Sequence, residues 1–343
     1  MLKHYKNLCV LFTVAVMSVL FIGCGDDDDD FSTDKPIDAS IKTTDGNLLA
    51  VRQVERTKFY YDDSENLVGI NSAHYVSWDV LGSELTDNEG TTIRLRLNGN
   101  GLITEAVVQV DISEEDGSYE KSDMKVSFSY NSSNQLTGYS CHSSYEEFFA
   151  DEDWYEIDEG KASLTCTWRD NCLVKAVIQS SGTDKEGESK SKMYDYPWTD
   201  TQTMEYEYGT QENVIRQMPR ILGGYIIDLE ECFEDLSYLG LFGAGPSYFP
   251  SRMSDEWKET YVYYEDGKKI QKDEGSKTYT YSMSYSLNSN GTIRTENING
   301  KSFPYYYDER ETRAITAEAE VNDLSPIKRH FRSHRHAKRT TNQ

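Results

Sequence analysis

Nucleophilic and metal chemistry would fall to the six histidines and six cysteines of this chain, and their spacing argues against both. His4 sits in the N-terminal segment and His330, His334 and His336 in a basic C-terminal stretch, which leaves His74 and His142 in the body. Cys141 and His142 could be drawn as a thiol–imidazole pair, but adjacent residues of a strand point to opposite faces. His74, near Trp78 and Asp79, reads as a loop or strand-end residue. Cys141, Cys166, Cys172 and Cys232 match no zinc spacing. A single Cys141–Cys166 bridge between consecutive strands is one reading of them, and isolated buried thiols are the favoured one. The chain has no phosphate-cradling Gly loop, no Gly-x-Ser-x-Gly elbow and no two-His metal motif. Acidic runs such as Glu114-Glu115 and Asp151-Glu152-Asp153 fall in apparent loops, where charge is solvated. A glycosidase needs two carboxylates facing each other, and the sequence leaves that open. No catalytic, cofactor-binding or metal-binding residue is expected, and no cofactor.

The elements that would position any site are strands. Tyr279, Tyr281, Met283, Tyr285 and Leu287 alternate with Thr280, Ser282, Ser284 and Ser286, a bulky face opposite a hydroxyl face. Ile93, Leu95 and Leu97 repeat the rhythm, as do Val126, Phe128 and Tyr130, then Leu164, Cys166 and Trp168. Met204, Tyr206 and Tyr208 and the pair Tyr261 and Tyr263 continue it. Between them recurs an aromatic or apolar residue, a short Asn/Asp/Gly/Ser turn and an aliphatic restart. Tyr61-Asp62 to Leu67, Leu97-Asn98 to Leu102, Tyr130-Asn131 to Leu136, Trp168-Arg169 to Leu173, Tyr264-Glu265 to Ile270 and Leu287-Asn288 to Ile293 all follow it. The fold class is therefore mainly β: a large antiparallel meander, a coiled sheet or barrel-like, with one helical insertion at about 213–253. There Ile226, Ile227, Leu229, Phe233, Leu236 and Leu239 follow a helical period, which predicts one main helix between about 225 and 240. That insertion caps an open end or one face of the sheet; as a lid or binding surface it would use Phe242, Tyr248 and Phe249.

The N-terminus carries an export signal. Lys3 and Lys6 form a positive region, Leu8 to Ile22 a short apolar core, and Gly23-Cys24 a small residue before a cysteine. The core is too short for a membrane-spanning helix, which needs roughly 20 apolar residues. The pattern resembles a bacterial lipoprotein signal, and that resemblance implies a Cys24 diacylated and cut just before it. The run Asp26, Asp27, Asp28, Asp29 and Asp30 is similar to the surface-export signal of Bacteroidota lipoproteins, which implies the outer leaflet of the outer membrane. The expected organisation is a signal peptide over 1–23, a lipidated acidic tether over 24–44, one β-rich domain over 45–325 and a disordered basic tail over 326–343.

Charge divides the chain sharply. Overall it carries -24, yet Lys328, Arg329, Arg332, Arg335, Lys338 and Arg339 crowd the last 18 residues without an acid, so the body from Cys24 to Ser325 is near -32. Such a body repels nucleic acid and anionic headgroups, and no nucleic-acid partner is expected. The tail could serve as a basic arm for phosphate groups or a partner, or be drawn to the acidic body. With 25 Tyr and 7 Pro the composition is that of a folded chain.

The tandem Tyr-Asx-turn-Leu hairpins, together with Leu239-Gly240-Leu241-Phe242-Gly243 and Phe249-Pro250-Ser251 after a helix, resemble a Bacteroidota surface-lipoprotein family, a domain of unknown function with a porin-like β fold. The resemblance covers about residues 45–310 and implies no catalytic residue. A pore does not follow from it, because the hydroxyl and charged strand faces lack a lipid-facing band. The expected function is non-enzymatic: an outer-membrane lipoprotein, lipid-anchored and exposed at the cell surface, that binds glycan, peptide or an envelope partner through an aromatic sheet face. The alternative is a glycan- or peptide-degrading hydrolase with sheet-borne carboxylates.

Overall fold

A computed structural model describes residues 35–307 apart from 45, 65, 74–75, 151–152, 191, 228, 230 and 266–267. Its strands are β1 (Ser40–Lys42), β2 (Leu48–Ala50), β3 (Gln53–Val54), β4 (Thr57–Tyr61), β5 (Leu67–Asn71), β6 (Ser77–Leu81), β7 (Glu84–Thr86), β8 (Thr91–Leu97), β9 (Ile103–Ser113), β10 (Tyr119–Tyr130), β11 (Leu136–Phe149), β12 (Trp154–Arg169), β13 (Cys172–Ser189), β14 (Lys192–Glu212), β15 (Tyr248–Glu265), β16 (Lys268–Leu287), β17 (Ile293–Ile298) and β18 (Lys301–Tyr306). Strands β3 to β18 close an antiparallel barrel of 16 strands, and β1 and β2 form a separate hairpin. Closure depends on two residue pairs, Tyr305 opposite Val54 and Tyr306 opposite Gln53. The wall is lopsided: β3 to β8 have at most 7 residues, whereas β12 to β16 have 16 to 21. The tall strands therefore rise beyond the short side as a curved sheet.

Turn chemistry explains the even spacing of the hairpins. Asp62 Oδ1 accepts from the amides of Ser64 and Asn66, Asp87 Oδ1 from Glu89 and Thr91, Asn98 Oδ1 from Asn100 and Leu102, and Asn131 Oδ1 from Ser133 and Gln135. Each is the same five-residue turn held by its leading Asx side chain. The β12–β13 turn differs, with Asp170 and Asn171 both at positive φ as a two-residue primed turn requires. The aromatic residue before the turn also has a job. Tyr130 Oη donates to the Ile103 carbonyl at 2.6 Å, Trp168 Nε1 to Leu136 at 2.8 Å and Tyr208 Oη to Leu173 at 2.9 Å. Each aromatic thus clasps the aliphatic restart of an earlier hairpin, which ties sequence repeat to lateral cohesion.

Inside and outside follow from register. One inward row runs Val126, Cys141, Ala162, Ser180, Asp200, Glu259. The next outward row runs Lys125, His142, Lys161, Ser181, Thr199, Thr260, Glu274, and another runs Ser127, Ser140, Ser163, Gln179, Thr201, Lys258, Ser276. These polar outward rows form no apolar band, the reverse of a transmembrane barrel.

The interior of the base is filled by the insertion. The structure divides the expected single helix over about 225–240 into two, α1 (Arg220–Ile226) and α2 (Glu231–Ser237). The chain leaves helical geometry at Ile227, at φ -118° and ψ 38°. This lets α2 turn back on α1, where Gly223 and Gly224 give Ser237 and Glu234 room to approach. Ile221, Leu222, Ile226, Phe233 and Leu236 are fully buried. Phe233 meets Phe128 on β10, Tyr225 meets Tyr281 on β16 and Tyr238 meets Tyr305 on β18, so the helices lie within the barrel as a plug. Backbone bonds from Ile103 to Leu241, Ala244 to Asn134 and Ser247 to Asn171 then stitch the insertion to the base turns.

Candidate functional site

Cys24, Asp26, Asp27, Asp28, Asp29 and Asp30 lie outside the described residues, as do His74, Asp151, Glu152 and the tail over 326–343. Cys141 faces inward and His142 outward, so the strand geometry separates thiol from imidazole. Cys141, Cys166, Cys172 and Cys232 are all buried thiols outside any disulfide. Cys141 stands opposite Ala162, four residues along β12 from Cys166, too far for a bridge. Among the described residues no three His, Cys, Asp or Glu converge to hold a metal ion.

Two polar constellations remain, and they differ in kind. The first lies in the plug. Glu296, fully buried on β17, accepts from the amides of Arg220 (2.8 Å) and Ile221 (3.2 Å) and from the hydroxyls of Tyr305 (3.0 Å) and Tyr285 (3.2 Å). Pro219 offers α1 no side-chain cap, so a strand carboxylate does that work from across the core. Burial raises the Glu296 carboxyl above its usual range, while the helix amides and Tyr305 pull the other way. Arg220 pairs with Glu234 at 2.8 Å and Glu55 at 3.4 Å and lies 4.7 Å from the Phe303 ring. Centred on the fully buried Glu296 and reaching the partly exposed Glu55 at its edge, this network is a latch.

The second lies on the inward face of the tall strands. There β12 carries Glu156 and Asp158, β13 Asp184 and Glu186, β14 Tyr196, Trp198 and Asp200, and β15 Trp257, Glu259, Tyr261 and Tyr263. Three like-charged pairs stand directly opposite: Glu156 with Glu186, Asp158 with Asp184, and Asp200 with Glu259. Like charges so placed weaken a sheet, so this arrangement does not serve stability. Trp198 lies across its neighbours: a Cβ added at Gly182 would meet the indole at 2.6 Å, and one at Gly160 at 3.7 Å. Two glycines thus clear a bed for the ring, and Trp198 Nε1 donates to Asp184 Oδ1 at 2.5 Å to hold it. Tyr196 and Tyr263 pack edge to face at 5.6 Å beside it. Asp200 Oδ1 is buried with no hydrogen-bond partner, and burial, reinforced by Glu259, pushes the Asp200 carboxyl up to about 6. Lower down, Asp255 is fully buried and accepts from Gln202 (3.1 Å) and Trp257 (3.0 Å).

An aromatic sheet face was legible in the alternation of Tyr206, Tyr208, Tyr261 and Tyr263. Trp198, Asp200 and Glu259 were not singled out, although glycines inside long strands mark close approach of another group.

Fold and site together define a polar-surfaced antiparallel barrel, plugged at its base and bearing an acidic, aromatic inner wall. No family model matches the chain, and no curated protein matches it. Among solved structures it is similar to a porin-like protein from Bacteroides vulgatus ATCC 8482, at 12% identity over 76% of this chain and 99% of that chain, with a TM-score of 0.42. A porin-like protein from Bacteroides uniformis ATCC 8492 also matches, at 11% identity over 60% of this chain and 96% of that chain, with a TM-score of 0.19. Both likenesses are too loose to carry functional weight.

Proposed function

We propose that this is a non-enzymatic binding protein, lipid-anchored through Cys24 and displayed outward from the outer membrane, that takes a glycan on the inward face of β12 to β15. The observation that carries this reading is Trp198, bedded on Gly160 and Gly182 beside Asp184 and Asp200. A half-buried indole supported by a sheet presents its free face to a sugar ring, and neighbouring carboxylates accept hydroxyl hydrogen bonds. The polar outward rows support a barrel standing in water rather than lipid, which gives a lipid tether a purpose. The test is a glycan-array screen with the parent protein and Trp198→Ala; ligands retained equally by both would defeat the reading. Anchoring is tested by Cys24→Ala, expected to abolish fatty-acid labelling, and export by replacing Asp26 to Asp30 with Ala, expected to remove protease access from outside the cell.

One observation favours a second reading. Asp200 and Glu259 are opposed and Asp200 is raised towards neutrality, as an acid–base pair of a glycosidase would be. They share one sheet face, however, rather than flanking a bond between them. Hydrolysis of a captured glycan that disappears in Asp200→Asn would establish the enzyme.

A further inference from the structure

We infer that the inward face of β12 to β15 is also the docking site of the chain's own basic segment, residues 326–343, which competes there with external ligand. This goes beyond the glycan reading. Over 156–158 of β12, 184–186 of β13, 196–200 of β14 and 259–263 of β15, the inward positions carry Glu156, Asp158, Asp184, Glu186, Asp200 and Glu259 and no Lys or Arg. Opposed like charges on three neighbouring pairs concentrate negative potential on a concave surface, where field lines focus. Segment 326–343 supplies six fixed positive charges and no acid, the matching chemistry. Its Lys and Arg side chains suit the aromatic faces of Trp198, Tyr261 and Tyr263 as well, since a cation is drawn to a ring face. Outward acids on β14 and β15 are matched by bases, Glu205 by Lys175, Glu207 by Arg252 and Glu256 by Lys258, so the outward face offers no comparable field.

Reach is sufficient. Tyr307 is packed at the base, its hydroxyl donating to the Ile293 carbonyl at 2.7 Å. Trp198 stands ten residues up β14 from the base residue Tyr208, about 33 Å of strand. The 18 residues from 308 to 325 span up to about 60 Å when extended. Such a tether holds the basic segment near the wall at an effective concentration on the order of millimolar.

The full chain is digested briefly with trypsin at low salt, and release of peptides from 326–343 is followed by mass spectrometry beside a free peptide of the same sequence. Release from the chain is expected at least ~10-fold slower, by the protection a bound segment enjoys. It should return to the free-peptide rate in Glu156→Gln/Asp158→Asn/Glu186→Gln and stay slow in the outward control Glu205→Gln/Glu207→Gln/Glu256→Gln. Carbodiimide cross-linking of the unaltered chain gives a readout independent of any variant: Lys328 or Lys338 should join carboxylates of the inward rows. Release at the free-peptide rate, cross-links confined to outward carboxylates, or protection appearing only with anionic phospholipid vesicles would each overturn the inference. No arm contains a glycan, so these results stand apart from the outcome of the Trp198→Ala screen.

Discussion

Replacing Glu296 by Ala tests how the plug is held. The carboxylate receives two amides and two hydroxyls in a fully buried setting. Each orphaned amide costs about 1–2 kcal/mol, and each hydroxyl, free to rotate, about 0.5 kcal/mol. Against these stands the burial penalty of the charge itself, visible in the raised Glu296 carboxyl and worth about 1 kcal/mol once its hydrogen bonds are counted. The balance is a loss of about 3 kcal/mol, or roughly a 1 M fall in the urea midpoint for a chain of this size. Glu296→Gln keeps one acceptor but turns an amide group towards donors, and should lose about half as much. Urea titration followed by tryptophan fluorescence and far-ultraviolet dichroism measures both. Hydrogen exchange at the Arg220 and Ile221 amides gives the local readout, with protection falling before the barrel opens. A change below about 1 kcal/mol, or unaltered protection at those two amides, would refute the latch.

The remaining predictions concern the tall wall and the thiols. Asp200 has a folded pKa raised to about 6, so its contribution to stability is present below its unfolded value and lost as pH rises through about 6. Asp200→Asn should therefore be more stable than the parent at pH 7, by about 1 kcal/mol after allowing for solvent screening of a partly exposed group, and the gap should close by pH 4; a gap independent of pH would contradict the assignment. Gly182→Ala places a methyl 2.6 Å from the Trp198 ring and 2.5 Å from the Glu159 carbonyl oxygen. It should cost about 1–3 kcal/mol and alter the near-ultraviolet dichroism of tryptophan, and an unchanged spectrum would mean the indole lies elsewhere. Cys141, Cys166, Cys172 and Cys232 are buried thiols, with Cys166 pushed up to about 12 by burial. In the folded protein they should resist a thiol reagent and react together on unfolding; rapid reaction at any one would show that its strand, or α2 for Cys232, is open.

Local chemistry made much of this architecture legible. Alternation decided which side chains share a face, because strand geometry allows no other reading. The Asx residues at Asp62, Asn98 and Asn131 marked turns because each side chain satisfies two amides wherever the hairpin ends up. With 68% of the described residues in strands, the mainly β reading and its barrel-like alternative are both met. What alternation leaves open is which of two faces is inside. Closure fell to Tyr305 with Val54 and Tyr306 with Gln53, pairs more than 250 residues apart that carry no local signal. The helical insertion had an apolar period, but its division into α1 and α2 and its place inside the barrel depend on Gly223 meeting Ser237 and on Glu296 reaching two amides 75 and 76 residues back. The candidate site shows the same division. Tyrosine alternation announced an aromatic face, yet only tertiary structure laid Trp198 over Gly160 and Gly182 and set Asp200 against Glu259, because cross-strand register, not sequence distance, decides which side chains become neighbours.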